Sequence, residues 1–201
     1  MSVYSATFVK RLLHEPDFFA MTCRAAEALL TEWRKAVSAR RTWHYAVREY
    51  AASAWIRIDG TLQRETEQAL SDALSTDVLG VYAIDEHRLE FSLALFRSGR
   101  EVRSLRQNDE STWTLVRGQE QDWEAAAFFS DDDLASYVRF AQSESRRGER
   151  RRVFAGRRIV EGADVPWMAD WKALKRLSRQ IGLPWLQEDD SPSTQHAIPP
   201  L

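Results

Sequence analysis

An α+β fold is predicted for this 201-residue chain by an antiparallel β-meander across about Val78–Arg117 and by amphipathic helical stripes that precede and follow it. In the meander, Leu89, Phe91, Leu93 and Leu95 alternate with Glu90, Ser92 and Ala94. That period of two marks a strand with one buried face and one wetter face. Upstream, Phe18, Thr22, Ala25, Leu29, Trp33 and Val37 recur at intervals of three and four, the spacing of a single helical face.

Taken in order, the first segment has two readings. Ser5 caps a short helix running to about His14, or Val3–Val9 is an edge strand. Pro16 and Asp17 then open a helix over Asp17–Ser38. Trp43, Tyr45 and Val47, and then Ala54, Ile56 and Ile58, alternate with their neighbours and suggest two strands, although Val47, Tyr50 and Ala54 also fit a helix. Gly60 breaks the pattern, and Thr61 is placed as the N-cap of an amphipathic helix to about Ser75 that carries Leu62, Ala69, Leu70, Ala73 and Leu74.

Val78–Ile84 is the first strand of the meander, closed by Asp85, Glu86 and His87. A tight turn at Ser98 and Gly99 sets Leu95 opposite Val102 and Leu93 opposite Ser104, with Phe96 facing Glu101 and Ala94 facing Arg103. Thr112–Arg117 is the returning strand, and Gly118 ends it. Beyond the meander, Ser130 with Asp131, Asp132 and Asp133 has the pattern of an acidic helix start. Arg150–Val160 is a loop or a short strand. Asp164 and Pro166 open a last helix carried by Trp167, Trp171, Leu174, Leu177 and Ile181, and Gly182 and Pro184 stop it. Residues 1–186 are therefore expected to form a single domain. Residues 187–201 carry three prolines and no core periodicity, which predicts a disordered tail.

Composition narrows the classes. With 44% hydrophobic and 29% charged residues the chain is of ordinary globular type. No run is long and apolar enough to cross a bilayer, and Met1–Lys10 has none of the features of a signal peptide, so a cytoplasmic, membrane-free protein is expected. The single cysteine, Cys23, fits a reducing compartment and packs as an inert side chain. Net charge is −2, yet it is segregated: residues 1–145 carry 17 basic and 23 acidic side chains, residues 146–179 carry 11 and 4.

Short motifs that announce catalysis are missing from the sequence: there is no nucleophile elbow, phosphate loop, dinucleotide turn or zinc-protease helix. Asp85 and Glu90 imitate the acids of a metal-dependent nuclease, but Ser92 stands where a lysine is required. His14, His44, His87 and His196 are scattered without a partner at metal-ligand spacing, so neither a metal nor a cofactor is expected. Asp59, Asp85 and Glu124 are the best acids for a site assembled from distant residues.

The strongest anomaly is basic. Arg146, Arg147, Arg150, Arg151, Arg152, Arg157 and Arg158 fall within 13 residues, and Lys172, Lys175, Arg176 and Arg179 follow. Together with Trp167 and Trp171, the arginines form the candidate partner-binding set, because arginine and tryptophan are enriched among binding hot spots. Such density also suits phosphate backbones. A third reading pairs the patch with the acidic remainder of the chain.

The stretch Ala69–Val102, ALSDALSTDVLGVYAIDEHRLEFSLALFRSGREV, resembles small bacterial cytosolic proteins of the toxin-immunity type, through a helix end, a strand followed by an acidic turn, a second strand and a turn glycine. The resemblance implies a non-enzymatic protein-binding role with a toxin-like partner and brings no catalytic residue with it. The alternative expectation is a nucleic-acid-associated regulator using residues 146–179.

Overall fold

The computed structural model describes residues 2–37, 44–85, 89–107, 113–119, 121–124, 127, 151–154, 157–160, 171–184 and 192–198. An eight-stranded antiparallel sheet organises them, in the order β10-β2-β3-β1-β4-β5-β6-β7. Its strands are β1 (Ser2–Lys10), β2 (Tyr45–Glu49), β3 (Trp55–Asp59), β4 (Asp77–Asp85), β5 (Leu89–Arg97), β6 (Arg100–Gln107), β7 (Trp113–Gly118) and β10 (Thr194–Ile198). The helices are α1 (Phe18–Val37), α2 (Arg64–Ala73) and α3 (Trp171–Ile181). A separate two-stranded ribbon pairs β8 (Arg151–Phe154) with β9 (Arg157–Val160).

Of the two readings of the first segment the strand holds and the helix from Ser5 does not, but the strand, Ser2–Lys10, is interior and not at an edge. β1 lies between β3 and β4, with Val9 opposite Ile56 on one side and Val78 on the other. Its alternation explains the placement. Tyr4, Ala6 and Phe8 enter one core cluster with Leu79, Val81, Phe91 and Leu93, while Val9 enters a second with Ile56, Ile58, Leu70 and Val78. With Tyr4, Ala6 and Phe8 buried on one face and Thr7 and Val9 on the other, the strand belongs inside a sheet.

The two clusters are the two faces. α1 and α2 cover one, where Phe18, Ala26 and Leu30 meet Tyr45, Val47 and Ile58. α3 covers the other through Leu174 and Leu177, joined by Leu183 just past its end. The Trp55 indole donates to the Ile181 carbonyl at 2.8 Å, and the Arg176 guanidinium donates to the Ala127 carbonyl at 2.8 Å, which fixes the end of α3 over the sheet.

Three further expectations are corrected. The N-cap of α2 is Gln63, not Thr61; its side chain makes no capping bond, and the Thr61 carbonyl instead accepts the Tyr45 hydroxyl at 3.2 Å. The hairpin turn has positive φ at both Ser98 (46°) and Gly99 (74°), the signature of a type I′ turn, and Phe96 faces Glu101 as expected. A register shift between Leu95 and Phe96 then displaces the remaining pairs, so that Leu95 faces Arg103, Ala94 faces Ser104 and Leu93 faces Leu105. The extra residue of a β-bulge is the physical reason. Finally, residues 194–198 are not a disordered tail: β10 pairs with β2, Ile198 opposite Tyr45, and buries Ile198 in the α1 core.

Candidate functional site

The residues that build the site begin with a helix stripe. Along α2, Leu70 and Leu74 turn into the core, and the same stripe one turn earlier carries Glu67. A carboxyl is thereby pressed against the sheet. Glu67 is only 8% exposed, and Gly80, in the middle of β4, makes the space for it: a Cβ at that position would overlap both of its carboxyl oxygens. A glycine inside a strand often marks such a close approach. The Thr7 hydroxyl, from β1, donates to Glu67 Oε1 at 2.8 Å. Burial outweighs this bond and the nearby Arg64 charge, and raises the Glu67 carboxyl to about 8. At neutral pH it is mostly the uncharged acid.

Glu67 lines a groove of about 400 Å³ between α2 and the β4–β6 face. Gly80 and Ala94 keep its floor low, Tyr82, Ser92 and Ser5 supply hydroxyls, and Arg64 and Arg106 stand at its walls. The floor is continuous antiparallel sheet, with Gly80 opposite Ala94 and Tyr82 opposite Ser92. Arg64 forms an ion pair with Glu101 and donates to the Ser104 hydroxyl at 2.6 Å, so its guanidinium is held at the rim. The groove therefore presents a neutral acid, hydroxyls and two guanidiniums on rigid elements.

A smaller cavity of about 340 Å³ lies on the opposite face, between Trp55 and Trp123, with Asp77, Arg97 and Lys10 at its margin. Asp77 is already paired with Arg97 at 2.8 Å and with Lys10 at 3.9 Å.

The acids singled out by sequence serve the fold separately. Asp59 bridges Arg48 at 2.5 Å and Arg57 at 2.6 Å. Glu124 is fully buried against Arg103, which reaches it through two nitrogens at 2.7 and 2.5 Å and also donates to the Gly118 carbonyl at 2.9 Å. From β3, which carries Asp59, to β6, which carries Arg103, there are four strand steps. At about 4.8 Å per step the strands that carry Asp59 and the Arg103 partner of Glu124 stand roughly 19 Å apart. Asp85 is the last residue of β4. Among the described residues no group of three or more His, Cys, Asp or Glu is placed to hold a metal. Cys23 is buried, and burial pushes its thiol up to about 11.

Of the candidate partner-binding residues, Arg146, Arg147, Arg150 and Trp167 lie outside the described residues. Arg151, Arg152, Arg157 and Arg158 fall on the β8–β9 ribbon, where Arg151 faces Val160, Arg152 faces Ile159, Val153 faces Arg158 and Phe154 faces Arg157. Trp171 is the first residue of α3. Sequence reasoning missed the groove. Two signals could have found it: an acid at position 67 on the apolar stripe of α2, and a glycine at position 80 inside a strand.

The chain matches no protein-family model, no curated protein and no solved structure.

Proposed function

We propose that this chain is a non-enzymatic protein-binding protein that receives a segment of its partner in the groove between α2 and the β4–β6 face. One observation carries the reading: the groove is concave, lined by polar and apolar side chains together, and walled by a helix and a sheet that core packing already holds in place. A preformed cleft binds without the ordering cost that a loop would incur. The finer role, neutralisation of a toxin by occlusion, is supported by the resemblance at Ala69–Val102 to bacterial immunity-type proteins. That stretch supplies the floor of the groove through Gly80, Tyr82, Ser92 and Ala94, while Arg64, Glu67 and Arg106 lie outside it.

Co-expression with toxins encoded beside this chain, followed by co-purification, tests it. A complex weakened tenfold or more by Arg106→Glu is expected. Failure of every such toxin to co-purify would sink the immunity role, and a complex indifferent to Arg106→Glu would move the partner surface away from the groove.

A second reading has its own observation. The β8–β9 ribbon places four arginines in eight strand positions, and the DNA major groove admits a two-stranded ribbon. Binding to duplex DNA that falls steeply with salt, and that Arg151→Ala with Arg152→Ala reduces, is the expected result. Salt-independent binding would count against it.

A further inference from the structure

We infer that the β10–β2–β3 end of the sheet, on the face opposite the groove, binds a phosphate group between Arg48, Arg57 and Gln195. The site is separate from the groove and goes beyond the protein-binding role proposed for it.

Register builds the site, because cross-strand partners share a face of the sheet. Gln195 lies opposite Arg48, Arg48 opposite Arg57, and Arg57 opposite Phe8, so four residues from four strands form one transverse row. Phe8 belongs to the core cluster that Leu174 and Leu177 of α3 join, which puts the row on that face. The next row runs Ala197, Ala46, Asp59 and Ala6, again through register partners. Three of its four members are alanines, so little bulk stands beside the arginines apart from the Asp59 carboxylate.

The charge of this cluster does not balance. Arg48 Nε donates to Asp59 Oδ2 at 2.5 Å, and an Arg57 terminal nitrogen lies 2.6 Å from Asp59 Oδ1. Two guanidiniums therefore share one carboxylate, and neither has a second acidic partner among the described residues. Of the charged groups nearby, Glu49 pairs with Arg11 and Asp77 with Lys10 and Arg97, so neither acid is left to cancel the excess. One positive charge remains.

Burial gives that charge a donor to present. Arg57 is 6% exposed, and its Nε–H is buried without an acceptor among the described residues. Buried donors are nearly always satisfied, and one left over marks a place for an ion or a ligand. Asp59 and the Tyr4 ring, 5.8 Å from the guanidinium carbon, hold Arg57 in place. Arg48 is half-buried, while Gln195 and Ala197 are exposed, which opens the row to solvent from the β10 side. A ligand entering there meets a carboxamide and then two guanidiniums, on strands about 4.8 Å apart. Donors from three strands suit the several oxygens of a tetrahedral phosphate, and guanidinium groups match phosphate in charge and geometry. A planar carboxylate presents only two oxygens, and Asp59 already supplies one such group.

The test is a titration of the ¹⁵N-labelled full chain, at pH 7 and constant ionic strength, with inorganic phosphate, adenosine monophosphate, acetate and chloride. The reporters are the Arg57 Nε–H resonance and the backbone amides of Arg48 and Gln195. Saturable shifts are expected with phosphate at millimolar concentration, and at least tenfold weaker binding with acetate. Tighter binding of adenosine monophosphate than of phosphate identifies a phosphate ester as the ligand; equal binding identifies the free ion. Arg48→Gln leaves the buried Arg57–Asp59 pair intact and should weaken either ligand about tenfold, with resonances elsewhere in the sheet unchanged. Acetate or chloride binding as tightly as phosphate would reduce the site to general charge attraction and overturn the inference. An Arg57 Nε–H that neither phosphate nor the nucleotide moves would overturn it too, as would binding that Arg48→Gln leaves unaltered.

Discussion

Glu67→Gln isolates the energetic consequence of burying a carboxyl against Gly80. In the unfolded chain this group titrates near 4.5, and in the folded protein near 8. Its folded value is raised, so the native state holds the proton over an interval in which the unfolded chain has lost it. Stability contributed by that proton is complete below about pH 4.5 and is lost progressively until about pH 8, above which the curve is level. Each pH unit of the interval is worth about 1.4 kcal/mol, which sets a ceiling of roughly 5 kcal/mol. Solvent reaching the carboxyl from the groove lowers this, and a loss of roughly 2–3 kcal/mol is expected. Glutamine has the shape of the neutral acid and no titration. Urea unfolding at pH 5, 7 and 9, followed by tryptophan fluorescence, should therefore give the two proteins similar stability at pH 5, with the Gln variant ahead by roughly 2–3 kcal/mol at pH 9. Parallel stability profiles from pH 5 to pH 9 would refute the reasoning.

Other perturbations follow from the same geometry. Gly80→Ala should destabilise by at least about 2 kcal/mol, and much of this should be recovered in the double variant with Glu67→Ala, a coupling that a double-mutant cycle measures directly. Glu124→Ala leaves Arg103 buried without its carboxylate and should cost about 3–5 kcal/mol by chemical denaturation. Leu93→Ala, at a fully buried position, should cost about 2–5 kcal/mol in the same assay. Cys23 should react with a thiol reagent at pH 8 only on the timescale of unfolding, since it is buried and its thiol is raised to about 11; a rapid stoichiometric reaction of the folded chain would contradict this.

Period explains what could be read in advance. The meander and α1 announce themselves because one face of each is apolar at a regular interval, and such intervals survive without knowledge of neighbours. β1 was ambiguous because Val3–Val9 mixes apolar and hydroxyl residues on both faces; only pairing with β3 and β4 at once decides it. The shift at Leu95 was invisible, since a bulge changes which residues face one another without altering the alternation of either strand. β10 shows a burial pattern with just Ile198 inside, too sparse to signal a strand until β2 offers an edge to pair with. The groove was hidden for a related reason. Glu67, Thr7, Gly80 and Arg106 come from four elements, and no local spacing links them. The basic segment stood out in the sequence through charge density alone, which says nothing of where a chain folds.

The position of β1 has a consequence for how the chain acquires its structure. β1 lies inside the sheet yet precedes both of its neighbours in the chain, so it emerges from the ribosome before either exists. β4 to β7 are joined in sequence and can pair as they appear, whereas β1 must wait for β3 and then for β4. Closing those long loops before any contact compensates them is slow. Tyr4, Phe8 and Val9 of β1, buried in the finished sheet, stay exposed during that interval. β10 closes the far edge by pairing with β2, so that edge waits for a strand that follows every other strand of the sheet in the chain.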